Sequence, residues 1–114
     1  MYPVHVCVSV PLNLFYRLSL SLVSILWKKI TVGAYEPRDF MKSAHINPSE
    51  AVRIKDAIKA KRAIPIHWGT FHLAFEGVLK PKQDLQLALE TAKKDPKSFE
   101  PLDLGGTVVV DASI

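Results

Sequence analysis

The chain has 114 residues, 15 of them basic and 11 acidic, for a formal charge of +4. That length holds at most one small domain or a piece of a larger one, and an apolar content of 48% argues against wholesale disorder. Cys7 is the single cysteine, which excludes an internal disulfide framework and a cysteine-based zinc site, fits a reducing compartment, and leaves any metal to His, Asp or Glu.

Residues 1–27 read MYPVHVCVSVPLNLFYRLSLSLVSILW, with no acidic residue, and Lys28 and Lys29 end the apolar run. Three readings compete. A signal peptide would need a basic region ahead of the apolar stretch and a small-residue cleavage site, and neither is evident. A membrane-spanning helix needs roughly 20 apolar residues. The stretch is long enough, but Arg17 sits mid-span and Pro11 interrupts it. A charge at mid-bilayer costs at least about 2.5 kcal/mol. The third reading is a buried strand, since Val4, Val6, Val8 and Val10 alternate with other residues, as do Leu18, Leu20 and Leu22. Such a strand would need a sheet to join.

From Ile30 the pattern is orderly. Ile30, Thr31 and Val32 form a short β-branched run ended by Gly33, which predicts a strand entering a loop over Gly33 to Met41. Glu36 precedes a proline and is biased to extended geometry. Asn47-Pro48-Ser49-Glu50 predicts a helix start: Asn47 as N-cap, Pro48 at the first helical position, Glu50 closing a capping box. Ala51, Ile54, Ala57 and Ile58 then recur at helical spacing, and the helix is expected to run to Lys61 or Arg62. Ala63 to Ile66 reads as a buried strand, with Pro65 placing it at an edge or strand end. A second helix is expected from Pro81 to about Lys93, with Leu85, Leu87, Ala88, Leu89 and Ala92 as its apolar set, and Pro96 stops it. Thr107 to Val110 reads as a last strand after the Gly105-Gly106 turn. Strand, helix, strand, helix, strand indicates an α/β architecture.

Six basic residues, Lys42, Arg53, Lys55, Lys59, Lys61 and Arg62, fall in one segment. They read as a solvated helix face or as a surface for an anionic partner such as a phospholipid headgroup. No basic stripe with interleaved aromatics is present, so nucleic acid is not expected as a partner.

His67 falls at the end of the predicted strand, against a loop containing Gly69. Ligands gather at strand ends in layered α/β proteins, and imidazole suits zinc. A histidine followed by tryptophan also reads as a hydrogen-bonded packing residue. His45, just before the helix cap, reads either as a surface loop residue or as a group that binds a phosphate oxygen or donates a proton. His72 and His5 have no helpful context, and Asp39 and Glu36 share no ligand spacing with a histidine. No H-x-x-x-H, Gly-rich phosphate loop or Gly-x-Ser-x-Gly occurs.

Three stretches together carry a resemblance: Gly33-Ala34-Tyr35-Glu36-Pro37-Arg38-Asp39-Phe40-Met41-Lys42, His45 through Ile54, and Ala63-Ile64-Pro65-Ile66-His67-Trp68-Gly69-Thr70-Phe71. Their sequence, order and spacing resemble the C-terminal part of the N-acylphosphatidylethanolamine-hydrolysing phospholipases D, of the metallo-β-lactamase superfamily. The resemblance covers about Ile30 to Val110, more loosely after Phe99. It implies an α/β fold, the C-terminal part of a metallo-β-lactamase-like αβ/βα sandwich, incomplete here. It divides the chain into an apolar segment, 1–28, and a C-terminal portion of the domain, 29–114. It implies two zinc ions in the complete enzyme, with His67 a zinc ligand and His45 lining the active site near the phosphate. Two departures stand out. Ala44 occupies a position that is often glutamine in the family, and Asp39 one that is often aromatic.

The family's upstream His-x-His-x-Asp-His motif is absent from these 114 residues, so His67 is the only metal ligand the resemblance supports. The expectation is a fragment of the phosphodiesterase that neither holds two zinc ions tightly nor hydrolyses lipid alone. Its implied partners are the phospholipid substrate and a membrane surface, at an intracellular, peripheral location, and homodimers are open to the family. The competing expectation is a membrane-associated binding module without catalysis, anchored by residues 4–27 and by the basic helix 49–62 on anionic lipid.

Overall fold

The computed structural model describes residues 5–9 and 27–111. The strand reading of the first segment is met at its start: strand β1, His5–Ser9, runs parallel to β4, Thr107–Asp111, with Cys7 opposite Val109. The alternation at Leu18, Leu20 and Leu22, like Pro11 and Arg17, lies outside the described residues. Among the described residues no helix is long and apolar enough to cross a membrane.

Strand β2, Trp27–Thr31, pairs in parallel with β3, Arg62–Ile66. Trp27 and Lys28 therefore share one strand with Lys29 and Ile30. Parallel neighbours need a crossover of a dozen or more residues. Here it carries two helices: α1, Arg38–Met41, and α2, Pro48–Ala57. The single turn of α1 lies within the stretch expected as loop, with the Pro37 carbonyl accepting from the N–H groups of Phe40 and Met41. Pro65 is buried and faces Ile30 in the β2–β3 register, and β3 has one further bridge on its other side, Ala63 to Phe99.

Helix α2 starts as the sequence requires. Asn47 Oδ1 accepts from the Glu50 N–H and Glu50 Oε2 accepts from the Asn47 N–H, a complete capping box. It ends at Ala57, four or five residues short of the expected Lys61 or Arg62, and the reason is a Schellman cap on a lysine. Lys59 takes a left-handed φ of 54°, its N–H bonds the Asp56 carbonyl, and the Ala60 N–H reaches back to the Lys55 carbonyl. The buried face also differs from the expected one. Pro48, Ala51, Val52 and Lys55 are buried, whereas Ile54, at 39% exposed, Ala57 and Ile58 face outward. Both sets fit a helical period, and the offset is decided by Val52 joining the core while the Lys55 stem covers apolar surface.

Helix α3, Lys80–Thr91, packs on α2 and buries Pro81, Leu85 and Leu89. Leu87 is 61% exposed and Ala92 is exposed, so the expected apolar set was too wide. The α3 end repeats the lysine-based cap: Lys93 is left-handed and the Lys94 N–H bonds the Leu89 carbonyl. A short 3₁₀ turn, Pro96–Ser98, then leads to Phe99, which is fully buried. Ile30, Val32, Ala51, Val52, Ala63, Leu85, Leu89 and Phe99 form one core cluster between the β2–β3 pair and the two long helices. The fold is mixed α/β with parallel strand pairs, and β2 and β3 deliver Gly33 and His67 to the same end of their sheet.

Candidate functional site

His67 follows the last residue of β3 directly and lies exposed at the strand end. Its backbone is left-handed, with φ 64°, a conformation that costs a non-glycine residue energy and that clusters at functional sites. The loop after β2 meets it there. The Gly33 carbonyl oxygen lies 3.3 Å from His67 Nδ1. A carbonyl only accepts, so as a hydrogen bond this contact takes its proton from Nδ1, the arrangement that in the neutral ring leaves Nε2 with its lone pair. Gly33 is required for the approach, because a Cβ on it would overlap the carbonyl oxygen of His67.

The second histidine arrives from the other side of the crossover. The His45 ring stacks on the His67 ring, with centroids 5.4 Å apart and planes within 5°. Its backbone is held by Arg38, which donates from Nη1 to the His45 carbonyl at 2.8 Å and from Nη2 to Glu50 Oε2 at 2.6 Å. The same Glu50 closes the α2 cap, so the helix start, the loop before it and α1 are locked through one carboxylate. The Asn47 backbone N–H, against some opposing burial, and then Arg38 hold the Glu50 carboxyl below the usual range.

The 33–36 loop is fixed from two sides. Glu76, 8% exposed, accepts from three consecutive backbone N–H groups: Ala34 at 2.5 Å and Tyr35 at 3.2 Å through Oε1, Glu36 at 3.0 Å through Oε2. The buried Tyr35 side chain donates its hydroxyl to Asp84 Oδ2 on α3. Burial, then that hydrogen bond, raises the Tyr35 pKa strongly. Lys80 also binds Asp84, at 2.8 Å.

The structure thus brings together the two histidines singled out from sequence, and shows how each is held. His72 is exposed, and Asp39 is exposed and among the described residues pairs only with Lys42, at 3.2 Å. Three supporting residues had not been singled out. Arg38 lay inside one of the quoted strings. Glu76 and Asp84 stand 40 or more residues from what they hold, with no local pattern to betray them. The crevice against His67, lined by Gly33, Ala34, Gly69, Leu73 and Glu76 among others, is only about 10 Å³, room for about one water. A larger groove of about 480 Å³ lies between α2 and α3 and contains neither histidine.

These features define the class: a parallel-stranded α/β unit with a paired, hydrogen-bonded imidazole site at a strand end. No family model matches the chain. Among curated proteins it is similar to N-acyl-phosphatidylethanolamine-hydrolyzing phospholipase D 1 of Caenorhabditis elegans, at 46% identity over 79 residues, which are 67% of this chain and 22% of that protein. It is also similar to N-acyl-phosphatidylethanolamine-hydrolyzing phospholipase D, mitochondrial, of Saccharomyces cerevisiae, at 35% identity over 79 residues, 69% of this chain and 17% of that protein. Over that stretch the chain belongs to the N-acyl-phosphatidylethanolamine-hydrolysing phospholipase D family. It spans about a fifth of the length of these curated relatives.

Proposed function

We propose that this chain contributes part of the active site of a zinc-dependent phosphodiesterase of the metallo-β-lactamase type, which hydrolyses N-acylphosphatidylethanolamine to N-acylethanolamine and phosphatidic acid. The relatives' names supply the substrate. The observation that carries the site is the His67 imidazole, anchored through Nδ1 to a backbone carbonyl with Nε2 directed elsewhere, the arrangement a metal-binding histidine ordinarily has.

The described residues fit zinc in kind but not in number. A catalytic zinc takes three protein ligands, and no group of three or more His, Cys, Asp or Glu side chains that could hold a metal ion occurs among the described residues. Bound zinc would supply an acidified water and a clamp on phosphodiester oxygens. This chain's own contribution is one nitrogen ligand at His67 and, beside it, the His45 ring as a group that binds a phosphoryl oxygen. The 10 Å³ crevice is also far too small for a phospholipid headgroup, for which sites of about 300 Å³ or more are usual. On this reading the chain alone neither holds two zinc ions nor turns over lipid. A peripheral position on an intracellular membrane accords with a phospholipid substrate.

A chimera tests the proposal. The matched 79 residues replace their counterpart in the Caenorhabditis elegans relative, and product release from N-acylphosphatidylethanolamine in mixed micelles is followed by mass spectrometry. Hydrolysis is expected, with His67→Ala lowering kcat/KM by about 100-fold or more together with zinc content. His45→Ala should lower kcat by roughly 100-fold with zinc retained. A folded, zinc-loaded chimera indifferent to His67→Ala would sink the assignment.

A further inference from the structure

The buried Glu76 carboxylate makes no ion pair among the described residues; its partners are three successive amides of the loop that ends at the imidazole site. We infer that Glu76 is a positioning residue for His67: by clamping the Ala34, Tyr35 and Glu36 amides it holds the Gly33 carbonyl against Nδ1 and thereby selects the tautomer that leaves the Nε2 lone pair outward. The inference rests on the proposed role of His67 for its functional meaning, but its physical content does not need zinc or lipid.

The geometry supports a chain of constraint rather than general packing. Ala34 is left-handed, with φ 64°, so the backbone turns sharply between the carbonyl that His67 binds and the first amide that Glu76 binds. Such a turn persists only when its surroundings over-determine it. Glu76 provides that with acceptor-only oxygens, which suits three N–H donors as no neutral side chain does. The Glu36 carbonyl in turn accepts from the Phe75 N–H at 3.2 Å, so the segment carrying Glu76 is tied back to the loop it clamps. Gly33 lies flush against the His67 carbonyl, which leaves no slack for the loop to shift without moving His67.

Glu76→Gln is the natural probe, because it is isosteric but presents an NH₂ group where one oxygen stood. The full chain is labelled with ¹⁵N. Long-range proton–nitrogen correlation spectra above the histidine titration range assign the His67 tautomer, and amide exchange is followed at residues 34–36. The wild type should carry its proton on Nδ1. In Glu76→Gln the Nε2–H tautomer should become populated and exchange at the Ala34, Tyr35 and Glu36 amides should rise about tenfold or more. Tyr35→Phe, which removes the Asp84 anchor from the same loop, should lower stability and leave the tautomer unchanged; a purely structural role for Glu76 would make the two variants alike. A wild-type His67 protonated on Nε2 overturns the inference, as does a Glu76→Gln spectrum with tautomer and exchange both unaltered. Should Glu76→Gln not fold, the wild-type tautomer decides. A chimera that fails to hydrolyse lipid would count against the proposed function and leave these spectra untouched.

Discussion

At the residue scale, the site is held by carboxylates on unlike partners: Glu76 on amides, Glu50 on an arginine and a cap, Asp84 on a tyrosine and a lysine. Burial works to raise the Asp84 pKa, and the hydrogen bonds from Lys80 and Tyr35 outweigh it, so its pKa in the folded chain is lowered; that of Glu50 is lowered too. A carboxyl with a lowered folded pKa binds protons more readily when unfolded. Its contribution is complete above the unfolded pKa, about 3.9 for Asp and 4.3 for Glu, and is lost as pH falls through the folded value. Urea midpoints should therefore hold steady from neutral pH to about 5 on account of these two groups and fall below about 4. Asp84→Asn should cost about 1 kcal/mol at pH 7 and make the acid limb shallower. An acid limb as steep in Asp84→Asn as in the wild type would show that this carboxylate is not among those responsible.

At the element scale, the α2 start was legible and its stop was not, whereas both ends of α3 were legible to within two residues. The α2 start is encoded within four residues, Asn47 to Glu50, and a capping box is a local pattern. Its stop at Ala57 falls on Lys59, a residue with no preference for the left-handed region, so nothing in the sequence marks it. Lys93 after α3 is likewise left-handed, but there Pro96 marks the stop, and the expected end at about Lys93 falls within two residues of Thr91. Burial faces were legible only to within one residue of rotation. Val52 and Lys55 take the place expected of Ile54 and Ile58, because the partner surface, not the helix itself, decides which of two overlapping stripes is covered. The left-handed lysines carry a steric cost of roughly 1–2 kcal/mol, partly offset in a glycine by the greater entropy of its unfolded chain. Lys59→Gly should accordingly raise stability by about 0.5–1 kcal/mol, and Lys93→Gly by a similar amount; the Lys94–Asp56 ion pair at 2.9 Å joins the two helix ends, so the double variant reads their coupling. Denaturant unfolding of the two singles and the double measures this. A loss of stability in either single would mean that its cap is not left-handed in solution.

At the scale of the whole molecule, the β2–β3 core is small and the surface around the site is apolar. Phe99 and Leu85 are fully buried, yet Phe40, Phe71, Leu73, Phe75 and Leu79 are more than half exposed, Phe75 at 82%. Four of these five lie between residues 71 and 79, in the segment that also carries Glu76 and borders His67. This segment has neither a helical nor a strand period, so its exposure is not legible in the sequence. The expected consequence in dilute buffer is association between copies, since apolar side chains this numerous in one short segment gain from any mutual burial. Sedimentation velocity at increasing concentration should show reversible self-association of the wild type. Phe75→Ser should weaken it several-fold while changing folding stability by less than about 0.5 kcal/mol, because a side chain so exposed contributes little to the monomer. If Phe75→Ser instead destabilised the monomer by several kcal/mol, that ring would be packed in solution and the segment would be folded against the core rather than presented outward. An unaltered sedimentation profile in a stable variant would place the self-associating surface elsewhere, and Phe40→Ser would then separate the α1 side of the site from the 71–79 segment.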